Sequence, residues 1–212
     1  ELREDGDGIR AVAVKDGQAM EFQAEYALLC TGRRPRLDAA TLAGTGIRHD
    51  RRGIAVNDGQ ETSIPGIYAV GDVTGGIMLA HRAMQQGRAL GSRLFGDGAV
   101  GCREDAVPSV TYTHPPVARV GLTEAQAREK GWDVEILRND YGANIMARTE
   151  LAGQGFAKFI FNEERLVGAT IAGAGAPDLI AALTLAVAAG MERRTLQSWI
   201  LPHPTLSEIL RL

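Results

Sequence analysis

The stretch from Asp178 to Gly190 constrains this chain more than any other. A helix there is apolar almost all round, so no face of it can rest comfortably in water. At 13 residues it is shorter than the roughly 20 needed to cross a bilayer. It must therefore be buried in a core or a subunit interface, and the residues before it must supply the opposing surface. Strands are expected at about 132–139, 156–162 and 166–172, the last two joined by the turn Asn162-Glu163-Glu164. Two earlier strand pieces, Val107–Thr113 and Val117–Gly121, are interrupted by Pro115-Pro116, and a short helix capped near Thr123 runs to Gly131. A short helix near Thr195 and a last one opening at Pro204, a residue suited to the first helical position, complete an α+β unit.

The glycine-rich connector Gly96–Asp105 separates this unit from what precedes it. Upstream, Gly8 to Cys30 reads as a hairpin turning at Asp16-Gly17, followed by a buried strand Tyr26-Ala27-Leu28-Leu29-Cys30 that ends at Thr31-Gly32-Arg33-Arg34-Pro35. Residues 36–65 are loop-rich, with a short strand Ile54-Ala55-Val56. A compact strand Ile67-Tyr68-Ala69-Val70 stops at Gly71-Asp72, and a helix follows from about Met78 to Phe95. The 212 residues suffice for one or two units, and Lys plus Arg at 23 against Asp plus Glu at 26 gives a net charge of -3. That balance argues against a nucleic-acid partner, and no apolar run is long enough for a membrane span. Two cysteines, Cys30 and Cys102, are too few for a disulfide framework or a zinc knuckle, which favours a cytoplasmic location and no metal centre. The chain opens on Glu1 rather than Met, as a piece of a longer protein would.

Two apparent phosphate loops fail on context. Gly96-Asp97-Gly98-Ala99-Val100-Gly101 follows a helix and leads toward Pro108, and Gly6-Asp7-Gly8-Ile9-Arg10-Ala11 runs into strand residues. A dinucleotide fingerprint must follow a strand and open a helix whose amides hold pyrophosphate. Asp72 is different: it follows an apolar strand and precedes Thr74-Gly75-Gly76 and a helix, so its carboxylate could accept from vicinal hydroxyls while amides near Met78–His81 donate to a ligand oxygen. On spacing alone the plainer reading is an Asp that stabilises a strand-to-helix turn. In His203-Pro204-Thr205-Leu206-Ser207-Glu208, Glu208 can reach back to one ring nitrogen of His203. A carboxylate there fixes the tautomer and raises basicity at the other nitrogen, as a general acid/base requires. A structural His beside a proline is the alternative, and His81 and His114 read from spacing alone as packed polar residues.

Taken in order, Leu28-Leu29-Cys30-Thr31-Gly32-Arg33-Arg34-Pro35, Ile64-Pro65-Gly66-Ile67-Tyr68-Ala69-Val70-Gly71-Asp72-Val73 and Met78-Leu79-Ala80-His81 resemble successive motifs of the pyridine nucleotide-disulfide oxidoreductases. Val107-Pro108-Ser109-Val110-Thr111-Tyr112-Thr113-His114-Pro115 and His203-Pro204-Thr205-Leu206-Ser207-Glu208 resemble the opening and closing motifs of that family's dimerisation domain. The likeness spans essentially the whole chain but only the carboxyl-terminal half of such an enzyme, and its dihydrolipoamide dehydrogenase branch is the most similar.

The resemblance implies a division into residues 1–34, the end of an NAD-binding α/β domain; 35–100, the carboxyl-terminal part of an FAD-binding α/β domain; and 101–212, an α+β dimerisation domain. It implies that Gly32 lies by the nicotinamide nucleotide, that Gly71 and Asp72 hold the flavin's ribityl chain, and that Met78, Leu79, Ala80 and His81 line the flavin. His203 and Glu208 become the acid/base pair facing the redox disulfide of a partner subunit in a homodimer. The complete enzyme would pass electrons between NAD(H) and a dithiol/disulfide, with lipoamide as the candidate substrate, through FAD. This chain carries no C-x-x-C or C-x-x-x-x-C pair and is expected to be inactive alone. Met84-Gln85-Gln86-Gly87 and Pro116 stand where lipoamide dehydrogenases usually carry acidic residues, so glutathione-reductase-like, mercuric-reductase-like and transhydrogenase relatives stay open, as does a non-catalytic dimerisation module.

Overall fold

The chain reverses at Asp5–Gly8 and again at Lys15–Gln18, where Gly6 and Gly17 take φ of 62° and 79°. The runs between these turns, β1 (Leu2–Asp5), β2 (Gly8–Lys15) and β3 (Gln18–Ala24), pair antiparallel in the order β1–β2–β3. This computed structural model describes residues 1–212, the side chain of residue 39 excepted. The sheet stops at Ala24. Residues 26–30, expected as a buried strand, form none, and Leu28 is 90% and Leu29 71% exposed. An apolar strand is buried only between neighbours, and none of the described strands lies alongside this one. Cys30 is exposed with its segment.

A short helix α1 (Ala39–Leu42) leads to a small hairpin of β4 (His49–Asp50) and β5 (Gly53–Ile54), so the strand expected over 54–56 is displaced toward Gly53. Residues 67–70 make only a bridge from Tyr68 to Glu61 rather than the expected strand, again for want of a second neighbour. A 3₁₀ turn, Gly71–Thr74, follows, and then α2 (Ala80–Phe95). The helix begins two residues later than its periodicity suggests because Leu79 is its extended N-cap, at φ -131 and ψ 139. Gly75 packs so closely on Arg52 that a Cβ would lie 1.8 Å from the Arg52 carbonyl oxygen, which locks the turn to the hairpin.

The second half is a five-stranded antiparallel sheet in the order β6–β7–β10–β9–β8. Its strands are β6 (Ser109–Thr111), β7 (Val117–Gly121), β8 (Val134–Asp140), β9 (Phe156–Asn162) and β10 (Arg165–Ala172). Between them lie α3 (Glu124–Glu129) and α4 (Ile145–Thr149), and after them α5 (Ala176–Ala188) and α6 (Arg193–Gln197). Alternation along β9 explains the layering. Ala157, Phe159 and Phe161 point into the main core, where Ile180, Leu183 and Val187 of α5 meet them, while Ile160 joins Ala127 of α3 and Val134 on the other face. Lys158 shares that second face and donates to Glu124 of α3 at 2.6 Å. The capping box at Thr123 sets the start of α3, whose Gln126 amide donates to the Thr123 hydroxyl at 3.2 Å.

The apolar helix thus finds its core on one face only. Leu185, on the opposite face of α5, stays 65% exposed. The helix expected to open at Pro204 is instead a 3₁₀ turn, Leu206–Leu210, with Thr205 as its N-cap. Gly168 of β10 pairs with Gly121 of β7 and lies so close to the residue after Gly121 that a Cβ on Gly168 would stand 1.9 Å from the Leu122 carbonyl oxygen. Gly168→Ala should therefore destabilise the fold by about 1–3 kcal/mol, read as a lower urea midpoint at unchanged slope. An unchanged midpoint would mean that the strands can part at this point without loss.

Candidate functional site

Helix and strand ends bring two groups of side chains together. The first lies at the carboxyl terminus. His203 Nδ1 is 3.0 Å from Glu208 Oε2 and 3.2 Å from Oε1. Glu208 is held by its surroundings: its carboxylate accepts the Thr205 amide at 3.2 Å and Arg211 Nη2 at 3.0 Å. The Thr205 amide above all, with the His203 ring and the Arg211 guanidinium, draws the Glu208 carboxyl below the usual range against the upward push of burial. A carboxylate so held can only accept, so Nδ1 must carry the shared proton, leaving Nε2 free to take or give another. The His203 side chain is 67% exposed while that of Glu208 is only 13% exposed, so the ring faces outward from a half-buried support. Beside them opens a cavity of about 590 Å³ whose lining includes Arg138, Asn139, Asn144 and Arg211.

The second group surrounds the start of α2. Gly71 is buried at φ 79°, and a Cβ there would stand 3.2 Å from that of Ala83. Asp72 is exposed, and its carboxylate takes no hydrogen bond among the described residues. The first turn of α2, at Ala80 to Arg82, has neither a side-chain cap nor an acidic residue. Unfilled donors and an open carboxylate on adjacent turns suit a ligand that offers both phosphate-type oxygens and hydroxyls. Arg33 donates to the Met78 carbonyl, so the Gly32 turn, open and at φ 86°, is tied to the Met78–His81 stretch. His81 binds the Pro108 carbonyl through Nε2 at 2.7 Å, joining the head of α2 to the segment leading into β6.

Beneath this group lies a polar network that the residue pattern did not reveal. Gln86, 1% exposed, accepts the Gly71 amide at 2.7 Å and donates to Glu104 Oε1 at 2.7 Å. Arg82, one turn earlier, donates to Glu104 Oε2 at 2.6 Å and to the Gly75 carbonyl at 2.9 Å. The i, i+4 spacing of two polar residues was the available signal, but it equally describes a solvated helix face. Cys102 borders the same network, and burial, then the Glu104 charge, pushes its thiol upward, away from thiolate reactivity. Among the described residues no cluster of three or more His, Cys, Asp or Glu could hold a metal, and no helix is long and apolar enough to cross a membrane. The two rejected glycine loops lie after α2 and at the entry to β2, and neither opens a helix.

Residues 107–212 match the family described as "Pyridine nucleotide-disulphide oxidoreductase, dimerisation domain", and residues 1–87 match "Pyridine nucleotide-disulphide oxidoreductase". The chain belongs to the pyridine nucleotide-disulfide oxidoreductase family. Relatives in it include the dihydrolipoyl dehydrogenase of Bacillus subtilis, 37% identical over 211 residues, covering 98% of this chain and 45% of that protein. The mitochondrial dihydrolipoyl dehydrogenase of Bos taurus is 38% identical over 202 residues, with 94% and 40% covered. Among solved structures, the HOCl-induced flavoprotein disulfide reductase RclA of Escherichia coli superposes with a TM-score of 0.82 at 26% identity, over 99% of this chain and 48% of that one. LpdA of Mycobacterium tuberculosis gives 0.84 at 25% identity, over 99% and 46%. The chain thus spans about half the length of the curated relatives it matches.

Within this family fold, Gln86 is the strut of the 71–75 turn. Gln86→Leu leaves the buried Gly71 amide unpaired, a cost of about 1–3 kcal/mol. The expected outcome is a lower urea midpoint together with faster hydrogen exchange at Gly71 and Asp72. Native exchange rates there would show that the turn holds itself.

Proposed function

We propose that this chain is the carboxyl-terminal part of an FAD-dependent dithiol/disulfide oxidoreductase that passes electrons between a dithiol, lipoamide being the candidate, and NAD(H). The observation that carries this reading is the His203–Glu208 pair, an outward-facing imidazole with Nδ1 bound to a half-buried carboxylate, at the end of a domain matched to the family's dimerisation unit. Family members depend on FAD and NAD, and FAD when bound supplies the two-electron relay between nicotinamide and a thiol pair. In this chain Asp72 would accept from the flavin's ribityl hydroxyls, Gly71 would let the backbone turn toward them, and the uncapped amides after Leu79 would donate to ligand oxygens. Met78, Leu79, Ala80 and His81 would line the flavin, and Gly32 would border the nicotinamide nucleotide, its missing side chain leaving room. His203 holds or releases a proton at Nε2, and Glu208 keeps the ring in the tautomer that permits this.

The chemistry needs a nearby thiol pair, and this chain offers only Cys30 and Cys102, both free. The chain alone is therefore inactive as a reductase in this reading and acts as the dimerising part of a larger enzyme. Leu185 of α5, 65% exposed, and Trp199 and Ile200, 38% and 90% exposed, supply apolar surface for a second copy.

Two measurements test the reading. In the complete enzyme His203→Gln should cut turnover by about 10²- to 10⁴-fold with flavin still bound, and Glu208→Gln should act in the same direction but less; wild-type turnover of the His203 variant across pH would sink the acid/base assignment. Sedimentation of the 212-residue chain should find a dimer, with only weak retention of added FAD. A monomer would overturn the interface, and measurable dithiol-dependent NAD reduction would overturn the expected inactivity.

A further inference from the structure

Only a single 3₁₀ turn of regular structure supports the segment that carries His203 and Glu208, yet two asparagines from elsewhere in the fold grip it on both sides of Glu208. Asn144, 7% exposed, sits at the N-cap of α4, where its Oδ1 accepts the Ala147 amide at 3.0 Å. Its Nδ2 donates to the Thr205 and Leu206 carbonyls at 3.2 and 3.4 Å. Asn139, near the end of β8, directs its own Nδ2 at the Ile209 and Arg211 carbonyls, at 2.9 and 2.6 Å. Four carbonyls are thus bound by two amides, two before Glu208 and two after it. The first of them belongs to Thr205, whose own N–H holds the Glu208 carboxylate at 3.2 Å.

We propose that Asn139 and Asn144 are positioning residues that clamp the 205–211 segment so that the Glu208 carboxylate meets His203 Nδ1. The argument is one of rigidity. Ile209 and Leu210 are buried at 3% exposure and fix the depth of the segment, but apolar contacts are non-directional and do not fix its rotation. Hydrogen bonds to carbonyls on both flanks do, because each constrains the orientation of a peptide plane. Without them Glu208 would retain the local Thr205 amide and Arg211, but its bearing on a ring five residues away would be free to drift. The clamp acts on the imidazole only through Glu208, so its signature is the ring's tautomer rather than its exposure. This inference rests on the acid/base reading of His203 for its consequence in catalysis, though not for its geometry.

The test uses the chain itself, labelled with ¹⁵N-imidazole histidine, at an alkaline pH where imidazole is neutral. Long-range ¹H–¹⁵N correlations read the tautomer of each of the four histidines, and His203→Gln assigns the relevant signals. In the wild-type chain the Nδ1–H tautomer of His203 should dominate, and Glu208→Ala should remove that preference. Asn139→Ala combined with Asn144→Ser, where the serine hydroxyl still caps α4, should shift His203 to the tautomer mixture of the Glu208→Ala variant, while the other three histidines keep theirs. A native Nδ1–H preference in the folded double variant would overturn the clamp. If the double variant does not fold, each single variant must lower the Nδ1–H fraction, and no change in either is equally fatal. The failure of the underlying reading is separable, since normal turnover of His203→Gln in the complete enzyme removes the acid/base role and leaves the tautomer result intact.

Discussion

The contact between α5 and the inner face of the five-stranded sheet supports everything else in the second half of this protein. Ile180, Leu183 and Val187 lie on one stripe of the helix and meet Phe159, Phe161, Ala118, Val120 and Ile171 from the sheet. A surface of that kind is closed to water and densely packed, so it tolerates little relative movement. The rigidity is then exported. Strand β8 forms the edge of the same sheet, and its end carries Asn139, while the turn that follows carries Tyr141, fully buried with its hydroxyl donating to the Ala174 carbonyl at 2.7 Å. The loop before α5 and the loop after β8 are therefore fastened to each other, and the carboxyl-terminal segment is fastened to both.

Arg193 shows how charge serves the same frame. Its guanidinium lies 4.7 Å from the Phe161 ring centroid and donates to Glu135 at 3.0 and 2.6 Å. The planar fork suits both partners at once, whereas a lysine ammonium would satisfy only one. That contact joins α6, just ahead of the His203 segment, to β8 and β9. Functional side chains in this half thus sit on loops, but every loop begins and ends on an element of one packed core.

The first half is organised by polar contacts instead. Glu104 gathers Arg82 and Gln86 from successive turns of α2, and these in turn bind Gly75 and Gly71. Buried polar groups are costly unless satisfied, and here each hydrogen bond that the two side chains make ends on the backbone of the loop that carries Asp72 or on Glu104. The open carboxylate of Asp72 and the uncapped head of α2 stand on this support, so the positions proposed to meet a flavin are held by the side chains of Arg82, Gln86 and Glu104, none of which is proposed to meet it.

The sequence by itself determined the α+β character of residues 107–212, the strand β9, the apolar helix and a cap at or just before Thr123, because each depends on periodicity or on side chains three or four residues apart. The five ordered motifs also pointed to the family that residues 1–87 and 107–212 match. The apposition of His203 and Glu208 was legible for the same reason, since five residues separate them. Only the tertiary structure decided the rest. Leu28 and Leu29 have the composition of a buried strand but lie exposed, because burial requires partners that composition does not name. Residues 67–70, with Ala69 buried, pair only through a bridge from Tyr68 to Glu61. Asn139 reaches a carbonyl 70 residues along the chain and Gln86 an amide 15 residues back. A polar side chain's spacing shows what it can donate or accept, but a hydrogen bond also needs a partner within about 3 Å, and only the folded backbone brings one there.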